Sequence, residues 1–108
     1  MGFANYTAIK PWVGGMQAIS ATSAAAVGIT ISSASAASSQ NTLQPNFAVI
    51  TAEAVSCRWR DDGTDPTTAL GMVLPANQRF EYDGDLRKIK FIALTGTVLV
   101  NVSLYNAS

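Results

Sequence analysis

Apolar and polar positions alternate most regularly near the end of the chain. In VLVNVSLYN, residues 98–106, one side of an extended backbone carries Val98, Val100, Val102 and Leu104. The preceding RKIKFIAL turns Ile89 and Phe91 inward and Lys88 and Lys90 outward in the same way. A period of two residues is typical of a strand with one buried face. These segments therefore predict two strands joined by a turn at Thr-Gly-Thr.

A second alternating region, NFAVITAEAVSCRWR, covers residues 46–60. One side of this region carries Phe47, Val49, Thr51, Glu53, Val55, Cys57 and Trp59. The other side carries Ala48, Ile50, Ala52, Ala54, Ser56, Arg58 and Arg60. The pattern predicts one long strand, or two strands with a break near Ala52-Glu53. A further strand is predicted over residues 78–82.

Turn signals divide the second half of the chain into short segments. They occur at DDGTDP, at Pro75-Ala76-Asn77, at YDGD and at TGT. Asp, Asn, Gly and Pro favour turns because they supply special backbone angles or local hydrogen bonds. The signals recur roughly every 8 to 12 residues, as in a sandwich or barrel. We therefore predict an all-β fold, a single antiparallel β-sandwich or jelly-roll-like domain with an N-terminal arm.

The first 45 residues carry weaker patterns. Residues 1–19 are interrupted by Pro11 and Gly14-Gly15, and we interpret them as an arm with room for one short strand, which packs either on its own domain or on a neighbouring subunit. The arm's candidate interface residues are Phe3, Tyr6, Trp12 and Met16. The sandwich domain is assigned to residues 20–108. Within it, residues 20–45 are rich in Ala and Ser, and VGITI predicts a short strand at about 27–33.

Composition narrows the classes of function. Charged residues make up 13% of the chain and the net charge is zero, which argues against nucleic-acid binding because phosphates need clustered Lys and Arg. A weakly charged small domain tends to associate, so a homo-oligomer is favoured. No apolar run is long enough for a membrane span, and the start lacks the pattern of a signal peptide. A single cysteine excludes an internal disulfide, as is usual for proteins made in a reducing cytosol.

The densest polar cluster is CRWRDDGTDP, residues 57–66. Its side chains of interest are Arg58, Trp59, Arg60, Asp61, Asp62 and Asp65. A structural role is favoured, with Trp59 in the core and the arginines pairing with nearby carboxylates, within the subunit or between subunits. Three alternatives stay open: paired catalytic carboxylates, a calcium loop and a sugar-binding patch in which Trp59 stacks on a pyranose.

Other candidate sites favour structure over catalysis. In EYDGDLRKIK, the residues Glu81, Asp83 and Asp85 could bind a metal, but a charged hairpin turn with edge lysines explains them better. Cys57 lacks a histidine partner, since the chain contains none, and no nucleotide-binding or nucleophile motif occurs. We therefore expect no enzyme activity, no catalytic residue, no metal site and no cofactor.

Three ordered motifs carry a resemblance to a known class of protein. RWRDDG is followed by GMVLPANQRFEYDGDLRKIKFI and then by VLVNVSLYN. Over about residues 46–106 this order resembles small virion proteins of tailed bacteriophages. The resemblance implies a β-sandwich or jelly-roll module that decorates or cements the capsid, often as a trimer, with no catalytic residue.

The expected function is therefore that of a phage structural protein, made in the host cytoplasm and carried on the virion. Its partner would be the major capsid protein, and it would stabilise the assembled head through contacts between subunits. The alternatives are a tail, collar or fibre subunit, and a carbohydrate-binding β module that uses Trp59 and the adjacent Asp turn.

Overall fold

The computed structural model describes residues 10–31 and 45–106. They form eight strands: β1 Lys10–Thr22, β2 Val27–Gly28, β3 Phe47–Glu53, β4 Cys57–Arg60, β5 Met72–Leu74, β6 Arg79–Tyr82, β7 Lys90–Ala93 and β8 Thr97–Asn106. All strand pairs are antiparallel and the strands form two sheets. The predicted antiparallel β-sandwich is thus confirmed. Within these ranges, no helix is long and apolar enough to cross a bilayer.

Each sheet contains four strands. One sheet, sheet A, has the order β1-β8-β3-β6, and the other, sheet B, has the order β2-β7-β4-β5. Consecutive strands therefore alternate between the sheets, except for β4 and β5, which are neighbours. The core lies between the sheets and includes Val98, Val100, Val102 and Leu104 of β8, each at most 1% exposed. The alternation that predicted β8 correctly identified its buried face.

The predicted break in the long alternating region lies between β3 and β4. Ala54 adopts a positive φ of 68° there, and the chain leaves sheet A for sheet B. The turn at residues 75–77 supports this break, because Asn77 Oδ1 accepts a hydrogen bond from the Ala54 N–H at 3.2 Å. The break also changes which alternate positions face the core, from even-numbered residues in β3 to odd-numbered residues in β4. Ile50 is buried in β3, whereas Cys57 is buried in β4.

The N-terminal part differs from the predicted arm. Residues 10–19 belong to β1, which continues to Thr22 and pairs with β8 from Lys10↔Asn106 to Thr22↔Thr97. The register shifts between Pro11 and Met16, so the Pro and Gly-Gly signals produce an irregularity within a strand rather than its end. The predicted boundary after residue 19 has no counterpart in the backbone. Residues 1–9 lie outside the described ranges.

The strand predicted at about 27–33 is also shorter in the structure, where β2 covers only Val27–Gly28. Beyond β2, the side chain of Gln17 forms hydrogen bonds with both polar backbone groups of Thr30. Gln17 Nε2 donates to the Thr30 carbonyl at 2.8 Å, and the Thr30 N–H donates to Gln17 Oε1 at 2.9 Å. A side chain thus satisfies the backbone groups that a longer strand would have paired. Residues 32–44 are outside the described ranges.

Cys57 lies fully buried where β4 meets the core. Burial raises the pKa of its thiol to about 11, because the thiolate would lose its hydration. We predict that the native protein reacts with a thiol reagent at pH 8 at least about 100-fold more slowly than the protein unfolded in urea, since reaction requires opening of the core. Stopped-flow labelling at several urea concentrations measures this ratio, and equal rates would show that Cys57 is accessible.

The same pKa shift sets the direction of a pH dependence. Below the ordinary thiol pKa near 9, Cys57 is protonated in both the folded and the unfolded chain. The contribution of the buried neutral thiol to the free energy of unfolding is therefore complete at those pH values. As the pH rises from about 9 to about 11, the unfolded chain gains a thiolate that the folded chain resists, and this contribution is lost. A Cys57→Ala variant should lack this component of the alkaline decline in the free energy of unfolding.

Candidate functional site

The connection between β4 and β5 folds back over the outer face of sheet B. We call residues 61–71 the β4–β5 loop. Arg58 lies beneath it and donates from Nε to the Thr68 carbonyl at 3.1 Å and from Nη1 to the Gly71 carbonyl at 2.8 Å. Gly71 has a φ of 145°, and a Cβ there would stand 3.1 Å from the Trp59 carbonyl oxygen. Glycine therefore permits the close return of the loop onto β4.

Two ion pairs also hold the loop. Arg60 forms a forked hydrogen-bonded pair with Asp62, with one bond of 3.0 Å from Nε. Lys90 Nζ contacts Asp65 Oδ1 at 2.9 Å. The hydrogen bonds from Arg60 lower the pKa of Asp62, and those to Asp62 raise the pKa of Arg60. Both pairs are solvent-exposed, so each adds little stability compared with the carbonyl contacts of Arg58.

The predicted pairing with a carboxylate is therefore found for Arg60, whereas Arg58 binds main-chain carbonyl groups instead. The cause lies in the loop, which brings main-chain carbonyls over Arg58 while Asp62 turns toward Arg60. Trp59, the residue between them, is half-buried and packs against the core.

Trp59 belongs to a cluster of three aromatic rings. It stacks on Phe80 with ring centroids 5.1 Å apart and meets the edge of Tyr82 at 5.8 Å. The Tyr82 hydroxyl donates to Asp61 Oδ2 at 2.6 Å. Burial, followed by the hydrogen bond to Asp61, raises the pKa of Tyr82 well above its ordinary value. The cluster thus fixes both the Trp59 ring and the Asp61 carboxylate.

A cleft of about 550 Å³ opens beside this cluster. It is lined by Trp59, Arg60, Asp61, Asp62, Leu70, Gly71 and Met72. Four of these residues come from the cluster that the sequence singled out. Leu70 and Met72 carried no sequence signal for a site. Met72 reaches the cleft because β5 pairs with β4 and places it opposite Trp59, and Leu70 lies in the adjoining β4–β5 loop.

The three aspartates of the turn do not converge. Asp61 binds Tyr82, Asp62 binds Arg60, and Asp65 binds Lys90. Over residues 10–31 and 45–106, no group of three or more His, Cys, Asp or Glu side chains is arranged to hold a metal ion. The calcium and paired-carboxylate alternatives therefore gain no geometric support from the described residues.

The acidic residues of β6 and of its connection to β7 have their own partners. Glu81 Oε2 pairs with Arg79 at 2.8 Å, and Asp85 Oδ1 accepts from the Arg87 N–H at 3.0 Å. Because β6 and β7 belong to different sheets and Lys90 lies on β7, an inner strand of sheet B, the predicted hairpin with edge lysines is wrong.

The predicted interface residues within the described ranges, Trp12 and Met16, belong to β1 of sheet A, whereas the cleft lies beside sheet B. Met16 lies in β1 and is 72% exposed. Trp12 is a residue of the same strand. Phe3 and Tyr6 precede the first described residue. Of the predicted interface set, Met16 is thus the exposed side chain that the structure locates, on the outside of sheet A.

Comparison with known proteins gives no relative. No family model, curated protein or solved structure matches the chain. The functional proposals below therefore depend on the geometry of the described residues and on the sequence motifs.

Proposed function

We propose that this chain is a structural subunit of a tailed-bacteriophage virion, a decoration or cement module that stabilises the assembled head. The strand orders 1-8-3-6 and 2-7-4-5 are those expected of a jelly roll, an eight-stranded double sheet used by viral capsid and lectin domains. Because a fold hosts many functions, the fold alone is weak support. The stronger support comes from one edge of the sandwich.

The observation that carries the proposal is the edge strand β1. It contains 13 residues and, among the described strands, it lies at the end of sheet A with β8 as its single neighbour. After Lys10 it contains no charged residue. Proteins that must avoid pairing at an edge commonly place lysines or other charges there. Pro11 and the register shift before Met16 disturb pairing at the start of β1, whereas its regular part from Met16 to Thr22 is uncharged and suited to pairing with a strand of another subunit.

The outer face next to this edge is also suited to contact. Met16, Ala18 and Ser20 of β1 are exposed, and Leu99 of β8 lies opposite Ser20 and is 39% exposed. Small side chains allow another surface to approach closely, while Met and Leu supply apolar area. The charged Arg79 and Glu81 lie on β6 at the opposite end of the sheet.

The proposed mechanism is thermodynamic. A subunit that binds only the assembled shell stabilises that shell by mass action. A lasting contact needs on the order of 1,000 Å² of buried surface, more than one strand edge supplies. The outer face of sheet A would therefore join the edge in contacting the major capsid protein and other copies of this chain, with a trimer favoured. Synthesis would occur in the host cytoplasm. A tail, collar or fibre subunit would use the same edge with a different partner.

We predict that Met16→Lys weakens self-association and binding to phage heads by at least about tenfold, equivalent to roughly 1.4 kcal/mol. The substitution places a charge beside the β1 edge, where a partner strand would bury it. Light scattering after size exclusion measures the oligomer, and co-sedimentation measures binding to heads.

Met72→Lys is the matched control, because Met72 is 62% exposed but lies on β5 of the other sheet. It should assemble like the unmodified protein. A protein that stays monomeric at all concentrations and does not sediment with heads would refute the proposal. Equal assembly of the two lysine variants would exclude the β1 edge as the contact.

A further inference from the structure

We propose that the cleft beside Trp59 binds a neutral saccharide. This inference is independent of assembly through the β1 edge, because the cleft lies on sheet B between β4, β5 and the β4–β5 loop. Its volume of about 550 Å³ is within the range of small-molecule sites. It also combines an apolar wall with a few polar groups, as such sites do.

The apolar wall is formed by Trp59, Leu70 and Met72. Leu70 is 58% exposed and Met72 is 62% exposed, although each carries a large apolar side chain. A pyranose ring presents C–H groups on its faces, and these faces pack well against an indole ring and a thioether. Burial of this wall by such a ligand would therefore be favourable.

The polar rim is formed by Arg60, Asp61 and Asp62. A carboxylate accepts about four hydrogen bonds, and the Asp61 side chain accepts one from the Tyr82 hydroxyl. Arg60 uses two of its five N–H groups in the fork to Asp62. Acceptors and donors thus remain beside the apolar wall, in the combination that sugar hydroxyls require.

Trp59 and Asp61 are fixed before any ligand arrives. Phe80 and Tyr82 hold the Trp59 ring, Tyr82 holds Asp61, and Arg60 is held by Asp62. Ordering these groups would otherwise oppose binding, since immobilising a flexible side chain costs about 0.5–1.5 kcal/mol. The pre-ordered Trp59 ring and Asp61 carboxylate therefore favour a ligand as weakly interacting as a sugar.

The charge of the rim selects among ligands. The lining includes two aspartates, Asp61 and Asp62, and one arginine, Arg60. The rim is therefore acidic by one charge and repels phosphates, sulfated sugars and sialic acids. Neutral hexoses and N-acetylhexosamines carry the required hydroxyls without this repulsion.

The test is a titration of the ¹⁵N-labelled full chain with D-glucose, D-galactose, D-mannose and N-acetyl-D-glucosamine, followed by NMR. At least one of these sugars should shift the Trp59 indole signal and the amide signals of Asp61 and Gly71 in a saturable way. A dissociation constant in roughly the millimolar range is expected for a single sugar ring. N-acetylneuraminic acid and inorganic phosphate serve as the anionic probes and should not compete.

Met72→Lys should weaken saccharide binding by at least about tenfold, because its ammonium group would enter the cleft and pair with Asp61. Met16→Lys is the matched control, since Met16 is also exposed but lies outside the cleft, and it should bind like the unmodified protein. Both positions are exposed, so both variants should fold. A Trp59→Ala variant is less informative because Trp59 also packs against the core.

Several results would overturn the inference. They are the absence of a saturable shift with all four neutral sugars, equal binding by the two lysine variants, and stronger binding of the anionic probes. Loss of head binding by Met72→Lys, without any sugar binding by the unmodified protein, would identify the cleft as a protein contact. The assembly assay of Met16→Lys tests the β1 edge, and its outcome has no bearing on saccharide binding in the cleft.

Discussion

Phe91→Ala should lower the free energy of unfolding by about 3–5 kcal/mol. Phe91 is the largest fully buried side chain among the described residues. It lies in β7, where its backbone is opposite Trp59 on one side and Val27 on the other. Removal of the ring would leave a cavity in the middle of the sandwich, and the two sheets could close it only in part. Because small domains are stable by only about 5–15 kcal/mol, the variant should be close to unfolding.

Urea denaturation followed by circular dichroism measures this loss, with the free energies compared at an unchanged slope. Leu99→Ala is the control, since Leu99 is 39% exposed on the outside of β8. It should cost below about 1 kcal/mol, as surface substitutions usually do. If the two variants lost equal stability, Phe91 would not occupy an enclosed core.

Gly84→Ala should lower the free energy of unfolding by about 1–3 kcal/mol and should also disturb the Trp59 cleft. A Cβ at Gly84 would lie 2.6 Å from Tyr82 Cζ and 2.8 Å from Tyr82 Cε1, far inside van der Waals contact. The Tyr82 ring cannot move away freely, because it packs against Trp59 and Phe80. Its displacement would break the hydrogen bond to Asp61 and release the rim of the cleft.

Near-ultraviolet circular dichroism should report the change in the aromatic cluster, and urea denaturation should report the loss of stability. Gly96→Ala provides the contrast. Gly96 has a positive φ of 60° but open space around it, so alanine there should cost only its conformational strain of about 1 kcal/mol. An unchanged near-ultraviolet spectrum for Gly84→Ala would mean that Tyr82 has room to move.

The sequence predicted best where one strand has one buried face. The alternation of β8 identified its core side chains, and the turn at residues 75–77 was placed where Asn77 supports the break after β3. It predicted β1 poorly, because Pro11 and the Gly-Gly pair suggest an interruption. An edge strand tolerates such residues, since one of its sides has no neighbour in the sheet and its pairing can shift register.

The candidate site was predicted in part for a similar reason. Trp59, Arg60, Asp61 and Asp62 are consecutive, so local sequence brought them together. Tyr82 and Met72 reach the same place through strand packing and through the pairing of β4 with β5. Neither relation is visible in residue spacing. The loop carbonyls that bind Arg58 carry no side-chain signal at all.

The anchoring of Arg58 bears on the ionic conditions under which the β4–β5 loop keeps its shape. Concentrated salt screens the exposed pairs of Asp62 and Asp65, and both should loosen. The bonds from Arg58 end on uncharged main-chain oxygens, one of them partly shielded from water, and screening leaves such bonds largely intact. The β4–β5 loop should therefore keep its conformation in concentrated salt. A loop held only by exposed ion pairs would lose its conformation under the same conditions.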